Sequence, residues 1–217
     1  MAKPIPVYIE SGDKKVFACA IDFPGWCRSG KDEASALEAL AGYAPRYAEV
    51  ARRAKAAFPS GDPELEVVER IKGKGATDFG IPHEIPKADA EPLSARQAAR
   101  QVELMRAAWA LLDTVAKASP AELRKGPRGG GRDRDKMLDH VLGAEAAYAR
   151  QVGVKHPAPQ VGDRKGVKAL RDELAETLRV ASDGSPLVAN GWPPRYAIRR
   201  IAWHVLDHAW EMQDRAH

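Results

Sequence analysis

Residues 198–212 read IRRIAWHVLDHAWEM, a stretch whose periodicity fits a helix. Ile198, Ile201, Val205 and Met212 recur at steps that keep one side of a 3.6-residue spiral apolar. His204 and His208 lie at the margin of that side, about 40° apart around the axis. Arg200 and Glu211 fall on their other flank. At a spacing of four, Cβ atoms stand about 5–6 Å apart, so two ring nitrogens can converge on one ion.

A second run has the same texture. Residues 137–151, MLDHVLGAEAAYARQ, place Met137, Val141, Ala144 and Tyr148 on one arc with His140 at its edge. One histidine on such a face is commonly a hydrogen-bonded core residue. Three imidazoles from two helices are the minimal set for a metal held between helices, so His140, His204 and His208 are the predicted ligands. Imidazole suits zinc, nickel, iron and copper; a divalent ion, zinc or nickel foremost, is expected. Three nitrogens leave a position open, as in catalytic rather than structural sites. Glu145 falls inside the apolar arc, where a carboxylate is costly unless answered by a metal, an arginine or a ligating histidine. It and Arg200, one turn before His204, are candidate catalytic residues.

Working outward, helical periods fill the chain beyond Pro92: about 93–118, 133–152, 163–181, and from Pro193-Pro194 to about Arg215. Ser119-Pro120-Ala121-Glu122 reads as a further helix start. Four amphipathic helices joined by loops predict an up-and-down four-helix bundle over 93–217. The run Arg128-Gly129-Gly130-Gly131-Arg132 leads into the second of them. Glycines before a helix N-terminus can present N–H groups to an anion, with Arg128 and Arg132 as its charged partners; a flexible basic loop is the plainer alternative.

The first part alternates instead. Ile5, Val7 and Ile9 oppose Tyr8 and Glu10; Phe17, Cys19, Ile21 and Phe23 form a second period-2 set. Pro24-Gly25 marks a turn, helical spacing runs from Asp32 to about Phe58 with a break expected at Pro45, and residues 65–71 form another strand. The expectation is a β-β-α-β module over 1–75, an α+β unit, followed by a Pro-punctuated linker over 76–92. His83 reads there as a solvated loop residue.

Composition fits a soluble globular chain: 44% hydrophobic and 29% charged. There is no secretory pattern and no membrane-length apolar run, so a cytoplasmic protein without membrane contact is expected. Cys19 and Cys27 make no CxxC and read as free thiols. The net charge of +4 is concentrated after residue 80, mostly between Arg124 and Lys136, with too few aromatics interleaved to predict nucleic-acid binding. Serine-nucleophile, dinucleotide and phosphate-loop motifs are absent from the sequence. Trp203 and Trp210 lie away from the histidine face and are expected to pack on another helix, the N-terminal module or a second subunit.

HVLGAEAAYARQ (140–151) and RRIAWHVLDHAWEMQDR (199–215) resemble the DinB-like superfamily of four-helix bundles, which includes thiol-dependent transferases and mycothiol-dependent maleylpyruvate isomerases. The resemblance covers about residues 92–217. It implies a divalent metal on one histidine of the second helix and an HxxxH pair of the last, which match His140, His204 and His208. It further implies a low-molecular-weight thiol as cosubstrate, with Arg200 placed to meet an anionic group. More faintly, AIDFPGWCRSGKDEASALEAL (20–40) resembles the N-terminal domain of HicB-like antitoxins, a protein-contact module.

Three functions follow as expectations. The first is a metal-dependent thiol S-transferase or isomerase acting on a small molecule, with homodimer formation an option. The second is a metal- or small-molecule-binding protein without turnover. The third is an interaction protein whose N-terminal module docks a partner around Phe23 and Trp26.

Overall fold

The computed structural model describes residues 3–126 and 130–216. Four strands, β1 (Ile5–Ser11), β2 (Val16–Ala20), β3 (Cys27–Gly30) and β4 (Leu65–Lys72), form one sheet in the order β3-β2-β1-β4. β1 and β2 are an antiparallel hairpin in which Val7 faces Ala20; β4 runs parallel to β1. A parallel neighbour needs a crossover, and α1 (Glu33–Gly42) and α2 (Ala44–Arg53) supply it. Asp32 caps α1 by accepting from the Ser35 backbone N–H at 2.8 Å, with Ser35 answering reciprocally. Pro45 sits in the first turn of α2, so the expected break is a helix boundary at Tyr43.

β3 departs from the β-β-α-β expectation. Its four residues carry no apolar alternation of their own and are extended because β2 pairs with them. That register puts Cys19 directly opposite Cys27, and the two sulfurs are joined as a disulfide. The free-thiol expectation is thereby corrected: spacing in the chain hid a juxtaposition made by strand pairing.

Both faces of the two central strands, β1 and β2, are buried, whereas β4 alternates half-buried and exposed residues. Val7, Ile9, Ala18 and Ala20 pack with Ala36 and Leu40 of α1, and with Phe23 and Trp26, in the main core. Phe23 lies edge-on to Phe58 and Tyr47, Trp26 stacks on Tyr47, and the Trp26 indole donates to the Leu40 carbonyl at 2.9 Å. With Phe23 7% and Trp26 0% exposed, neither belongs to a docking surface. Tyr8, Phe17, Cys19 and Cys27 on the other face meet Trp203.

Helices dominate later in the chain: α3 (Gly75–Asp78), then the long α4 (Ala95–Ala118), α5 (Arg134–Arg150), α6 (Arg164–Leu178) and α7 (Pro194–Arg215). Ser94 and Gln97 cap α4 reciprocally, Asp163 caps α6, and Pro194 opens α7. Contacts between the long helices join α4 to α7 most extensively, and α7 to α5, α5 to α6 and α6 to α4 on a smaller scale. Consecutive helices α4 and α5 are not such neighbours, nor are α6 and α7, as a simple up-and-down succession would require. The connections 119–133 and 179–193 are long enough to cross a diagonal of about 13 Å, which takes four or five extended residues. No helix starts at Ser119. Leu123 N–H donates to the Asp133 carboxylate and Arg124 N–H to the Arg215 carbonyl, so those donors are satisfied outside any helix. Among the described residues, no helix is long and apolar enough to cross a membrane.

The 76–92 segment is a strap laid between sheet and α7. Buried Glu10 accepts from Thr77 Oγ1 at 2.6 Å and from the backbone N–H groups of His83 and Glu84 at 3.0 and 3.1 Å. Asp89, in a 3-10 turn (Lys87–Ala90), accepts from Arg199 of α7, which also donates to the Tyr8 hydroxyl. Tyr196 donates to the His83 carbonyl at 2.9 Å. Burial pushes the Tyr8 phenol far above its ordinary range, and that of Tyr196 up to about 12. Replacing Asp89 by Ala strands the Arg199 charge and is expected to cost about 3–5 kcal/mol in urea unfolding. Glu33→Ala, which breaks an exposed pair with Arg70, should barely move the midpoint.

Candidate metal centre

α5 and α7 run side by side, and this contact brings the histidines together. His140 Nε2 and His204 Nε2 are 3.2 Å apart, and one nitrogen from each of His140, His204 and His208 lies within 4.8 Å of the others. Two nitrogens about 2.05 Å from one tetrahedral ion stand about 3.3 Å apart, so the observed pair already has the separation of two ligands. Ring centroids are 4.7–5.0 Å apart, and the His204 and His208 rings stand perpendicular.

The ligating form of imidazole is neutral. Burial, followed by the charges of His208 and Arg200, pushes His204 down to about 2; burial and Arg132 lower His140 as well. Two neutral Nε2 atoms in contact share at most one proton, whereas both lone pairs can serve one cation. His204 Nδ1 is buried without a protein partner among the described residues, so the protein does not fix that ring from its far side. His208 is oriented: its Nδ1 meets Glu211 Oε2 at 3.1 Å, and Arg215 donates to Glu211 Oε1 at 2.6 Å. A carboxylate behind a ligating histidine sets its tautomer and raises its basicity. Glu211 was visible in sequence only as a flanking residue; the three-residue step from His208 and the four-residue step to Arg215 were the signal.

The remaining expectations divide. Arg200 is buried beside the cluster, donates to the Tyr148 hydroxyl at 3.2 Å and stacks on Trp203 with its guanidinium carbon 4.6 Å from the ring centre. Tyr148 lies against His204 at 5.7 Å between ring centres; sequence placed it only on an apolar arc. Arg132 is exposed, yet near enough to depress both histidines. Arg128 lies outside the described residues. Glu145 stands apart from the histidines: it is 1% exposed and held by both Nε and Nη2 of Arg171, which also reaches Asp113. Its burial raises the carboxyl above the ordinary range, with Arg171 opposing.

Protein purified without a histidine tag should carry about one equivalent of metal by elemental analysis, lost in His204→Ala. Glu211→Gln should retain the site with about 10–100-fold weaker affinity. Equal, negligible metal in wild type and His204→Ala would remove the centre. A histidine in the unfolded chain titrates near 6.5. Because the fold excludes a proton from His204, the metal-stripped protein should lose stability as pH falls from about 6.5 toward 2. Urea midpoints between pH 7 and pH 4 should decline less steeply in His204→Gln; identical slopes would mean that the ring is not shielded.

No family model, curated protein or solved structure matches the chain. The chemistry of the centre therefore rests on its own atoms.

Proposed function

We propose that the protein is a metal-dependent enzyme whose four long helices form a DinB-like bundle holding a divalent ion, zinc or nickel, on His140, His204 and His208. Its reaction would be thiol-dependent: the sulfur of a low-molecular-weight thiol, its proton released, would bond to a small electrophile and displace a leaving group in an S-transfer, or add and later be expelled in an isomerisation. The supporting observation is the meeting of three imidazole nitrogens from α5 and α7 within 4.8 Å of one another, a donor set that leaves a coordination position for an exogenous ligand.

Each residue has a task in that reading. A bound divalent ion supplies a positive centre that favours the thiolate over the thiol. His140 and His204 are kept unprotonated by burial and by neighbouring positive charge. Glu211 turns His208 so that Nε2 is the nitrogen left for the site. Tyr148 accepts from Arg200, which leaves its own O–H to donate to a substrate oxygen or sulfur. Arg200 and Arg132 bias the surroundings toward anions. Glu145, paired with Arg171, ties α5 to α6.

The test is thiol consumption by metal-loaded protein, using a panel of low-molecular-weight thiols with 1-chloro-2,4-dinitrobenzene. His140→Ala should lose both metal and conjugation. Tyr148→Phe should keep the metal and slow turnover by about 100-fold, the usual effect of removing one donor. One equivalent of metal with no thiol consumed would overturn the enzyme reading and leave a metal-binding protein without turnover.

A further inference from the structure

On the side of α5 turned away from the histidines, α4, α5 and α6 enclose an open cleft of about 780 Å³. Leu138, Val141 and Leu142 line it from α5, each about 100° or more around the helix from His140. The volume lies within the range of small-molecule sites, about 300–1,000 Å³. An ion-pair bridge accounts for the space. Arg171 of α6 binds Glu145 of α5 and Asp113 of α4 at 3.1–3.3 Å, fixing three helices around a gap that α4 and α5 do not close by direct packing.

The walls are apolar: Trp109 and Leu112 are buried at the floor, while Val161, 38% exposed, stands at the mouth. The rim is not neutral. Six basic and four acidic side chains line the cleft. Asp113 is held by Arg171, Asp135 by Arg134 and Asp172 by Lys168; Asp163 caps α6 through the Gly166 N–H. Lys117 and Arg164 have no ion-pair partner within 4.0 Å among the described residues, and with six basic side chains against four acidic ones the lining carries an excess of positive charge. An apolar trough under two free cations suits a molecule with a hydrocarbon body and one anionic end.

We infer that this cleft is a second small-molecule site, one that takes an apolar monoanion of the medium-chain carboxylic acid class. The hydrocarbon lies along Leu138, Leu142 and Val167, and the carboxylate faces Lys117 and Arg164. It is independent of the metal and of the proposed reaction, so it stands or falls separately from them.

Isothermal titration with decanoate and decan-1-ol tests it on the full chain. Decanoate should bind one site, at least about tenfold more tightly than the alcohol, a difference of about 1.4 kcal/mol. Leu138→Trp and Val167→Trp, each setting an indole into the trough, should abolish binding with an unchanged circular dichroism spectrum. Lys117→Glu combined with Arg164→Glu, at exposed positions, should erase the preference for the acid even if a tryptophan variant fails to fold. His204→Ala should bind decanoate like the wild type. No binding, equal binding of acid and alcohol, or undiminished binding in both folded tryptophan variants would each overturn the inference.

Discussion

Arg199 is withdrawn from water between the sheet, the strap and α7, where its guanidinium meets Asp89 and the Tyr8 hydroxyl and lies over the Tyr8 and Tyr196 rings. A charge of that kind is tolerable only when fully partnered. Its partners come from three parts of the chain: β1, the 76–92 segment and α7. Satisfying it therefore fixes all three at once. The next residue on α7, Arg200, already belongs to the surroundings of the histidines, and His204 follows one turn later.

α7 consequently works on two sides. Trp203 lies edge-on to Phe17 across the outer face of the sheet, and Trp210 packs on Tyr43 with Arg28 above it. Arg28 also pairs with Asp207 at 3.2 Å. The opposite side carries His204 and His208 toward α5. A helix gripped along one flank by a sheet and along the other by neighbouring helices can hold two imidazoles in register without relying on a loop. The ligand geometry is thus a by-product of packing that would be needed in any case.

Much of this was written in local spacing. The four long helices begin and end within a few residues of where apolar periodicity and the Pro193-Pro194 pair put them. The histidine cluster followed from a four-residue step plus one matching helix. What local spacing could not carry were features made by partners distant in sequence. β3 is extended because β2 is beside it, and Cys19 faces Cys27 for the same reason. The 119–126 stretch has a helix-start signature, but Asp133 and Arg215 take its backbone donors and acceptors. Glu145 looked like a site residue because a carboxylate on an apolar arc demands an answer; the answer, Arg171, sits on another helix. The order of helices around their shared core was hidden too, since loop length alone does not say which neighbour a helix chooses.

The turn at Pro24-Gly25 touches α7 so closely that a β-carbon on Gly25 would stand 2.9 Å from the backbone of Ala202. Gly25 also has φ of +90°, a conformation open to glycine at little cost. This tip of the N-terminal module rests two residues before His204, against the backbone of Ala202 and the end of the Leu206 side chain. Axial sliding or rotation of α7 must then carry the tip along. The sheet and the imidazole-bearing helix are mechanically one lever, and strain applied to either end is felt at the other.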